Sequence, residues 1–191
     1  MSKIKVCDCG CGDGSKTRFI AELLGRPDQV FGMEYSKNRF IRCKEMNHSI
    51  HYEYGDLTKE IPFEELFDGI TAFVVFMHFS SRTQIRNALR NIYHSLNKNG
   101  LFLWYELNAD NHWDGIKKHV DGWGFSEKQM DEYALEAGLK LVRHFGVSSR
   151  IPIINKSTGY LIKNVRDLWM MELLEKFPFK KNNLVRIYCK E

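Results

Sequence analysis

The chain of 191 residues predicts an α/β fold, a seven-stranded and mostly parallel sheet with helices on both faces and an antiparallel last strand. Three observations carry that expectation. Short apolar runs of strand length alternate with segments whose apolar residues recur at helical spacing, the order that builds parallel βαβ units. The first such run empties into a glycine-rich turn that leads straight into a helical segment. Finally, 43% apolar and 27% charged residues make the balance of a folded chain with one core, and the length asks for no division, so residues 1–191 read as a single domain.

Residues 4–9 read as the first strand and 15–24 as the first helix, with Phe19, Ile20, Leu23 and Leu24 on one face. Gly25 followed by Pro27 ends that helix, and 29–34 is the second strand. A helix at 37–46, a strand at 51–55, a turn through Pro62 and the apolar run 69–76 continue the alternation. Ser81 and Gln84 predict a capping box for the next helix. Its Ile85, Ala88, Leu89, Ile92, Tyr93 and Leu96 share a face, and Gly100 closes it. The fifth strand is 101–107, Ser126 with Gln129 caps a helix carrying Met130, Tyr133, Ala134 and Ala137, and 139–147 and 184–189 are the last two strands. Between those two lies an insert, 148–183, with an apolar helix around 165–177, read as a cover for the substrate or a dimer contact.

No run approaches the roughly 18 apolar residues of a membrane-spanning helix; the longest candidate is 69–79. The start of the chain has no apolar leader, so a cytoplasmic protein with no membrane association is expected. Basic residues outnumber acidic ones by 28 to 24, and their scatter gives no stripe for nucleic acid. Five cysteines are an odd number. Cys7, Cys9 and Cys11 alternate too closely to pair with one another, and their spacing does not suit zinc; packing on one side of the first strand is the expectation, with no metal.

The segment with most chemistry is Asp8-Cys9-Gly10-Cys11-Gly12-Asp13-Gly14, where glycines let backbone come within contact distance of a ligand. Gly-x-Gly alone also opens the dinucleotide fingerprint, but Ser15 stands where that fingerprint wants Gly or Ala, and Asp8 and Asp13 would repel a pyrophosphate while attracting an ammonium. Glu34 follows at the end of the second strand, where a carboxylate can take both hydroxyls of a ribose. Gly55-Asp56-Leu57 follows the third strand.

These segments resemble those of the class I S-adenosylmethionine-dependent methyltransferases, a family with a Rossmann-like sheet. The glycine run resembles the family's first motif, Gly55-Asp56-Leu57 its adenine-binding turn, and residues 67–79 its fourth strand with the turn that follows. The resemblance implies S-adenosyl-L-methionine as cofactor and S-adenosyl-L-homocysteine as product. It implies contacts from Asp8, Gly10, Gly12, Gly14, Glu34, Tyr35, Asp56, Leu57, Ala72 and Phe73. Many small-molecule members have a His-His pair before the next helix; here Met77 replaces the first and His78 remains. Leu96-Asn97-Lys98-Asn99-Gly100 resembles the family's turn into the fifth strand.

Direct displacement of a methyl needs alignment and exclusion of water, and a base helps if the acceptor is a hydroxyl. The candidates are His78, Glu106 and His112; each has a plain alternative, as a helix cap, a surface acid and a loop residue respectively. Motifs of nucleobase enzymes are missing, so the expected reaction is methylation of oxygen or nitrogen on a small molecule, such as a sugar or an anionic acceptor, with no nucleic acid. A dinucleotide-dependent oxidoreductase and a non-catalytic methyltransferase-like binding protein are the alternatives. Because the first glycine comes at residue 10, the cover that many members place before the first strand is expected from the insert, from a second subunit in a homodimer, or not at all, which leaves a partly open pocket.

Overall fold

The computed structural model describes residues 4–109, 124–149 and 181–191. Its elements are β1 (Val6–Cys9), α1 (Ser15–Leu24), β2 (Val30–Glu34), α2 (Lys37–Met46), β3 (His51–Tyr54), β4 (Phe67–Phe73), α3 (Arg82–Ser95), β5 (Leu96–Leu107), α4 (Glu127–Glu136), β6 (Leu139–Ser149) and β7 (Lys181–Lys190). They form one seven-stranded sheet in the order β3-β2-β1-β4-β5-β7-β6. β1 pairs in parallel with β2 and β4, and β7 runs antiparallel to both β5 and β6. The chain winds outward from β1 to β3 and then crosses back to β4. The strand order therefore reverses beside β1, and open α/β sheets bind ligands at the carboxyl ends of the strands there.

Alternation along the strands sorts side chains between the two faces. Cys7, Cys9, Phe31, Met33, Ile70 and Ala72 face one core, shared with Ile85, Leu89 and Ile92 of α3 and Met130 and Ala134 of α4. Val30 and Tyr52 face the other, with Ala21 of α1 and Cys43 of α2. Cys11 joins this second core, so the three closely spaced cysteines do not share one side. The strand ends at Cys9, and Gly10 at φ 73 turns the chain before Cys11. All five cysteines are free.

Three expectations change for local physical reasons. The apolar run 69–76 is not all strand: β4 stops at Phe73, Val74 takes φ 58, and Phe76–His78 forms a 3-10 turn whose Phe76 is fully buried. The apolar run continues past the strand because the turn itself is core. Gly100 does not close α3, which ends at Ser95; Leu96 already pairs with Phe67, and Gly100 lies in β5, where a Cβ would meet the Asn97 and Phe67 carbonyl oxygens at 2.9 and 3.0 Å. Half of the first capping box forms: the Ser81 side chain accepts from the Gln84 amide, but the Gln84 side chain accepts from Ser80 instead.

At α4 the box is complete, with Ser126 and Gln129 each accepting from the other's backbone amide. Its helix packs Met130 and Ala134 into the main core, and Tyr188 of β7 donates to Asp131 Oδ1 at 2.9 Å. Ser126→Ala is expected to lower the unfolding free energy by about 1 kcal/mol in urea titrations, the usual cost of losing such a cap. An unchanged midpoint would show that packing alone sets the start of this helix.

Candidate functional site

The turn between β1 and α1 is built so that backbone, not side chain, faces the reversal point. Gly10, Gly12 and Gly14 have φ of 73, 62 and 78°, a region that residues with a Cβ seldom enter. At Gly10 a Cβ would come within 2.6 Å of Val75 Cγ2, whereas at Gly12 it would meet nothing within 4 Å and would project into open space. That space is a cavity of about 960 Å³, lined among others by Gly10, Gly12, Glu34, Asp56, Val75 and His78.

The turn is held from β2. The Met33 carbonyl accepts the amides of Gly10 and Cys11 at 2.8 and 3.0 Å, and Glu34 Oε2 accepts the amide of Gly12 at 2.8 Å. Glu34 Oε1 takes the Ser36 amide at 2.7 Å, so one buried carboxylate fixes both the first and second βα turns. No amide of Gly10, Cys11 or Gly12 is left to cradle a phosphate, the feature by which dinucleotide-binding turns hold a pyrophosphate.

Behind the turn sits Asp8, only 1% exposed. Its oxygens accept the hydroxyls of Thr17 on α1 and Thr71 on β4, at 2.7 and 2.9 Å. Burial pushes its carboxyl up to about 6, against the lowering effect of those two hydroxyls. Further round the cavity, Asp56 Oδ1 accepts the amide and hydroxyl of Thr58 at 3.0 and 2.7 Å, and Leu57 is buried beside it. Tyr35 stacks on Tyr54 with ring centres 6.5 Å apart, and Lys16 Nζ stands 5.7 Å from the centre of the Phe73 ring.

Residues 6–100 match a family model described as a methyltransferase domain. The chain belongs to the class I S-adenosylmethionine-dependent methyltransferases. No curated protein matches it. Among solved structures, a TehB-like SAM-dependent methyltransferase from Corynebacterium glutamicum is 19% identical, with a TM-score of 0.64 over 99% of this chain and 81% of that one. An S-adenosylmethionine-dependent methyltransferase from Mesorhizobium loti is 15% identical, with a TM-score of 0.69 over 99% and 93%. A Thermotoga maritima protein described as a SAM-dependent methyltransferase and possible histamine N-methyltransferase is 16% identical, at 0.68 over 100% and 84%. These likenesses show the fold. The family match sets the chain apart from the oxidoreductase alternative.

For this methyltransferase, the residues expected at the cofactor divide by position. Asp8, Gly10, Gly12, Glu34, Tyr35, Asp56, Leu57 and Phe73 all line the cavity. Gly14 and Ala72 do not. The missing side chain of Gly14 makes room behind the turn for the Tyr52 hydroxyl and Cys43, which an added Cβ would approach to 2.7 and 3.1 Å. Ala72 is fully buried in the core under α3, because its side chain takes the face of β4 opposite Thr71.

Of the candidate bases, His78 is exposed and lines the cavity, and His112 lies outside the described residues. Glu106 does not reach the cavity wall: its side chain is fully buried on the core face of β5, behind the turn at 76–78. Sequence reasoning missed Lys16, Ser36, Arg39, Arg42, Val75 and Phe79, all in the lining. Helical spacing puts Arg39 and Arg42 on one side of α2 and could have found them. Nothing in the sequence signals that Val75 packs on Gly10, since this depends on the left-handed turn at Val74. Among the described residues no cluster of His, Cys, Asp or Glu is arranged to hold a metal, and no helix is long and apolar enough to cross a membrane.

Asp8 sets a pH signature. Its folded pKa of about 6 lies above the unfolded value of about 3.9, so the folded chain holds the extra proton between them and stability falls as pH rises through that window. Above it the cost of the buried charge is fully present. Asp8→Asn keeps an acceptor for one threonine hydroxyl and a donor for the other. At about pH 8 it is expected to be more stable than wild type by roughly 1–3 kcal/mol, with the difference vanishing near pH 4. Equal pH profiles in denaturant unfolding would refute this account of Asp8.

Proposed function

We propose that the chain transfers a methyl group from S-adenosyl-L-methionine to oxygen or nitrogen of a small-molecule metabolite, leaving S-adenosyl-L-homocysteine. The observation that carries the reading is the bare glycine turn, clamped by Glu34 and opening onto a cavity with a histidine on its wall. The residues present fit the cofactor. A side chain at Gly12 would fill the space that the turn leaves open, and a carboxylate and an apolar neighbour stand at the turn after β3.

Glu34 would hold the ribose hydroxyls. Each of its oxygens accepts one amide and has a further lone pair to offer. Asp56 would take the exocyclic amine of the adenine, its Oδ2 being engaged among the described residues only by Lys59 Nζ at 3.8 Å, and Leu57 would cover the ring. Tyr35 and Phe73 would flank the ligand, while Asp8 acts from behind, keeping β1, α1 and β4 in register beneath the turn.

When bound, S-adenosyl-L-methionine supplies a methyl group made electrophilic by a positively charged sulfur. The chain's own part is to align the acceptor, keep out water and manage one proton. Phe73, Val75 and Phe79 form apolar wall, and His78, exposed at the cavity, is the residue placed to receive the acceptor's proton. A small acceptor fits a cavity of about 960 Å³. The possible histamine N-methyltransferase among the structural neighbours supports a nitrogen acceptor as one such case. A cytoplasmic location, a homodimer and a covering role for the insert at 148–183 belong to the same reading; most of that insert, including the stretch 165–177 expected to be helical, lies outside the described residues.

Calorimetric titration with S-adenosyl-L-homocysteine is expected to give micromolar binding, with none for reduced nicotinamide dinucleotide. The reverse pattern would sink the reading. Glu34→Ala is expected to weaken that binding by about 1.5–3 kcal/mol, the range for a lost hydrogen bond to a charged group. An unchanged dissociation constant would mean that Glu34 touches neither the ribose nor the conformation of the turn that the ligand needs.

A further inference from the structure

Glu106 lies at the end of β5 with its carboxylate surrounded by donors. Oε2 accepts the amide of Phe76 at 3.1 Å and faces the Trp104 indole Nε1 at 3.5 Å; Oε1 faces the Leu107 amide at 3.4 Å. The Met77 amide also stabilises the charged form. Two of these donors belong to the 3-10 turn Phe76–His78, whose other ties are the packing of the buried Phe76 ring on Trp104 and the bonds from the His78 and Phe79 amides to the Val75 and Phe76 carbonyls. It is entered through Val74, a β-branched residue at φ 58, a conformation that persists only where its surroundings impose it. The Tyr105 carbonyl accepts the Val74 amide at 2.9 Å, so neighbouring residues of β5 hold both ends of the entry.

What the turn carries is the wall of the cavity. Val74, Val75, His78 and Phe79 all line it, and Val75 packs so closely on Gly10 that a Cβ there would lie 2.6 Å from its Cγ2. We propose that Glu106 is a positioning residue for methyl transfer. Its ionised carboxylate gathers the amides of Phe76 and Met77 and thereby seats Val75 on the glycine turn and His78 on the cavity wall. The assignment rests on the methyltransferase reading of the cavity, and it replaces a direct role for Glu106 as base.

The environment makes the charge essential to the geometry. A protonated carboxyl carries an O–H, and each of the named groups around it is an N–H donor. Protonation therefore puts a hydrogen among those donors, removes part of the acceptor capacity and loosens the turn. Burial pushes the Glu106 carboxyl up to about 7, against those donors, so the change falls in an accessible range. Among the described residues the other ionisable groups on the adjoining elements are few. Tyr105 precedes it on β5, Arg186 lies opposite Trp104 on β7 and is shared by Glu127 and Asp131, and His78 ends the turn.

The test is the affinity for S-adenosyl-L-homocysteine, by calorimetry between about pH 5.5 and about 8.5, in wild type, Glu106→Gln and, to separate the other cavity groups, His78→Gln and Asp8→Asn. In wild type and both control variants the affinity is expected to weaken roughly tenfold as pH falls through about 7. In Glu106→Gln, whose amide also sets a donor against the ring of N–H groups, the step near 7 should be missing and the affinity should stay weak above it. A flat wild-type profile, or a step near 7 that survives in Glu106→Gln, overturns the proposal. Should the glutamine variant fail to fold, the backbone amide signals of Phe76 and Met77 in wild type decide by NMR. A shared midpoint near 7 supports the proposal, and signals indifferent to pH refute it. No binding at any pH overturns the cofactor reading instead, and the amide titration then still reports on Glu106.

Discussion

The carboxylate of Glu34 joins two turns that are remote in sequence. One oxygen takes the Gly12 amide and the other takes the Ser36 amide, while the preceding carbonyl, that of Met33, takes Gly10 and Cys11. A glycine-rich turn has more conformational freedom to lose than any other segment, so its shape must be imposed from outside. Here that is done by the end of a neighbouring parallel strand, whose register with β1 places Met33 beside Cys9. The cavity, the exposure of bare backbone and the direction of α1 all depend on this clamp.

Two further buried carboxylates frame the site and do different work. Asp8 ties three elements together through two threonine hydroxyls, at the cost of burying a group whose charged form burial disfavours. Glu106 supports the other wall, where its partners are mostly amides of a turn with no regular pairing of its own. Both are raised by burial into the range where physiological changes in pH matter, and both sit directly behind segments that line the cavity. On one side the support is the sheet, and on the other it is a charged side chain together with the packing of Phe76 in the core.

Much of this was legible in the sequence. The order of strands and helices, the first glycine motif and the acids at positions 34 and 56 can be read because each expresses a local rule: periodicity, turn chemistry, or spacing from strand to strand end. The same local rules put Gly14 and Ala72 with the cofactor contacts, although neither lines the cavity. A glycine needed to admit Tyr52 and Cys43 behind the turn looks the same in sequence as one that faces a ligand. An apolar residue at the end of β4 shows its face only once its neighbours are paired. The run 69–76 read as strand throughout, because burial makes a packed turn as apolar as a strand.

By itself the sequence determined the α/β class, the parallel crossovers and the family, since these follow from hydrophobic period and from short motifs whose residues are neighbours in the chain. Only the tertiary structure decided which groups meet. It paired Glu34 with Gly12, Asp8 with Thr17 and Thr71, and Glu106 with the turn at 76–78, and it set Val75 on Gly10. Such contacts join residues from different strands. They are fixed by strand register and by left-handed backbone at a few positions, quantities that arise when the sheet assembles and that no single stretch of chain encodes.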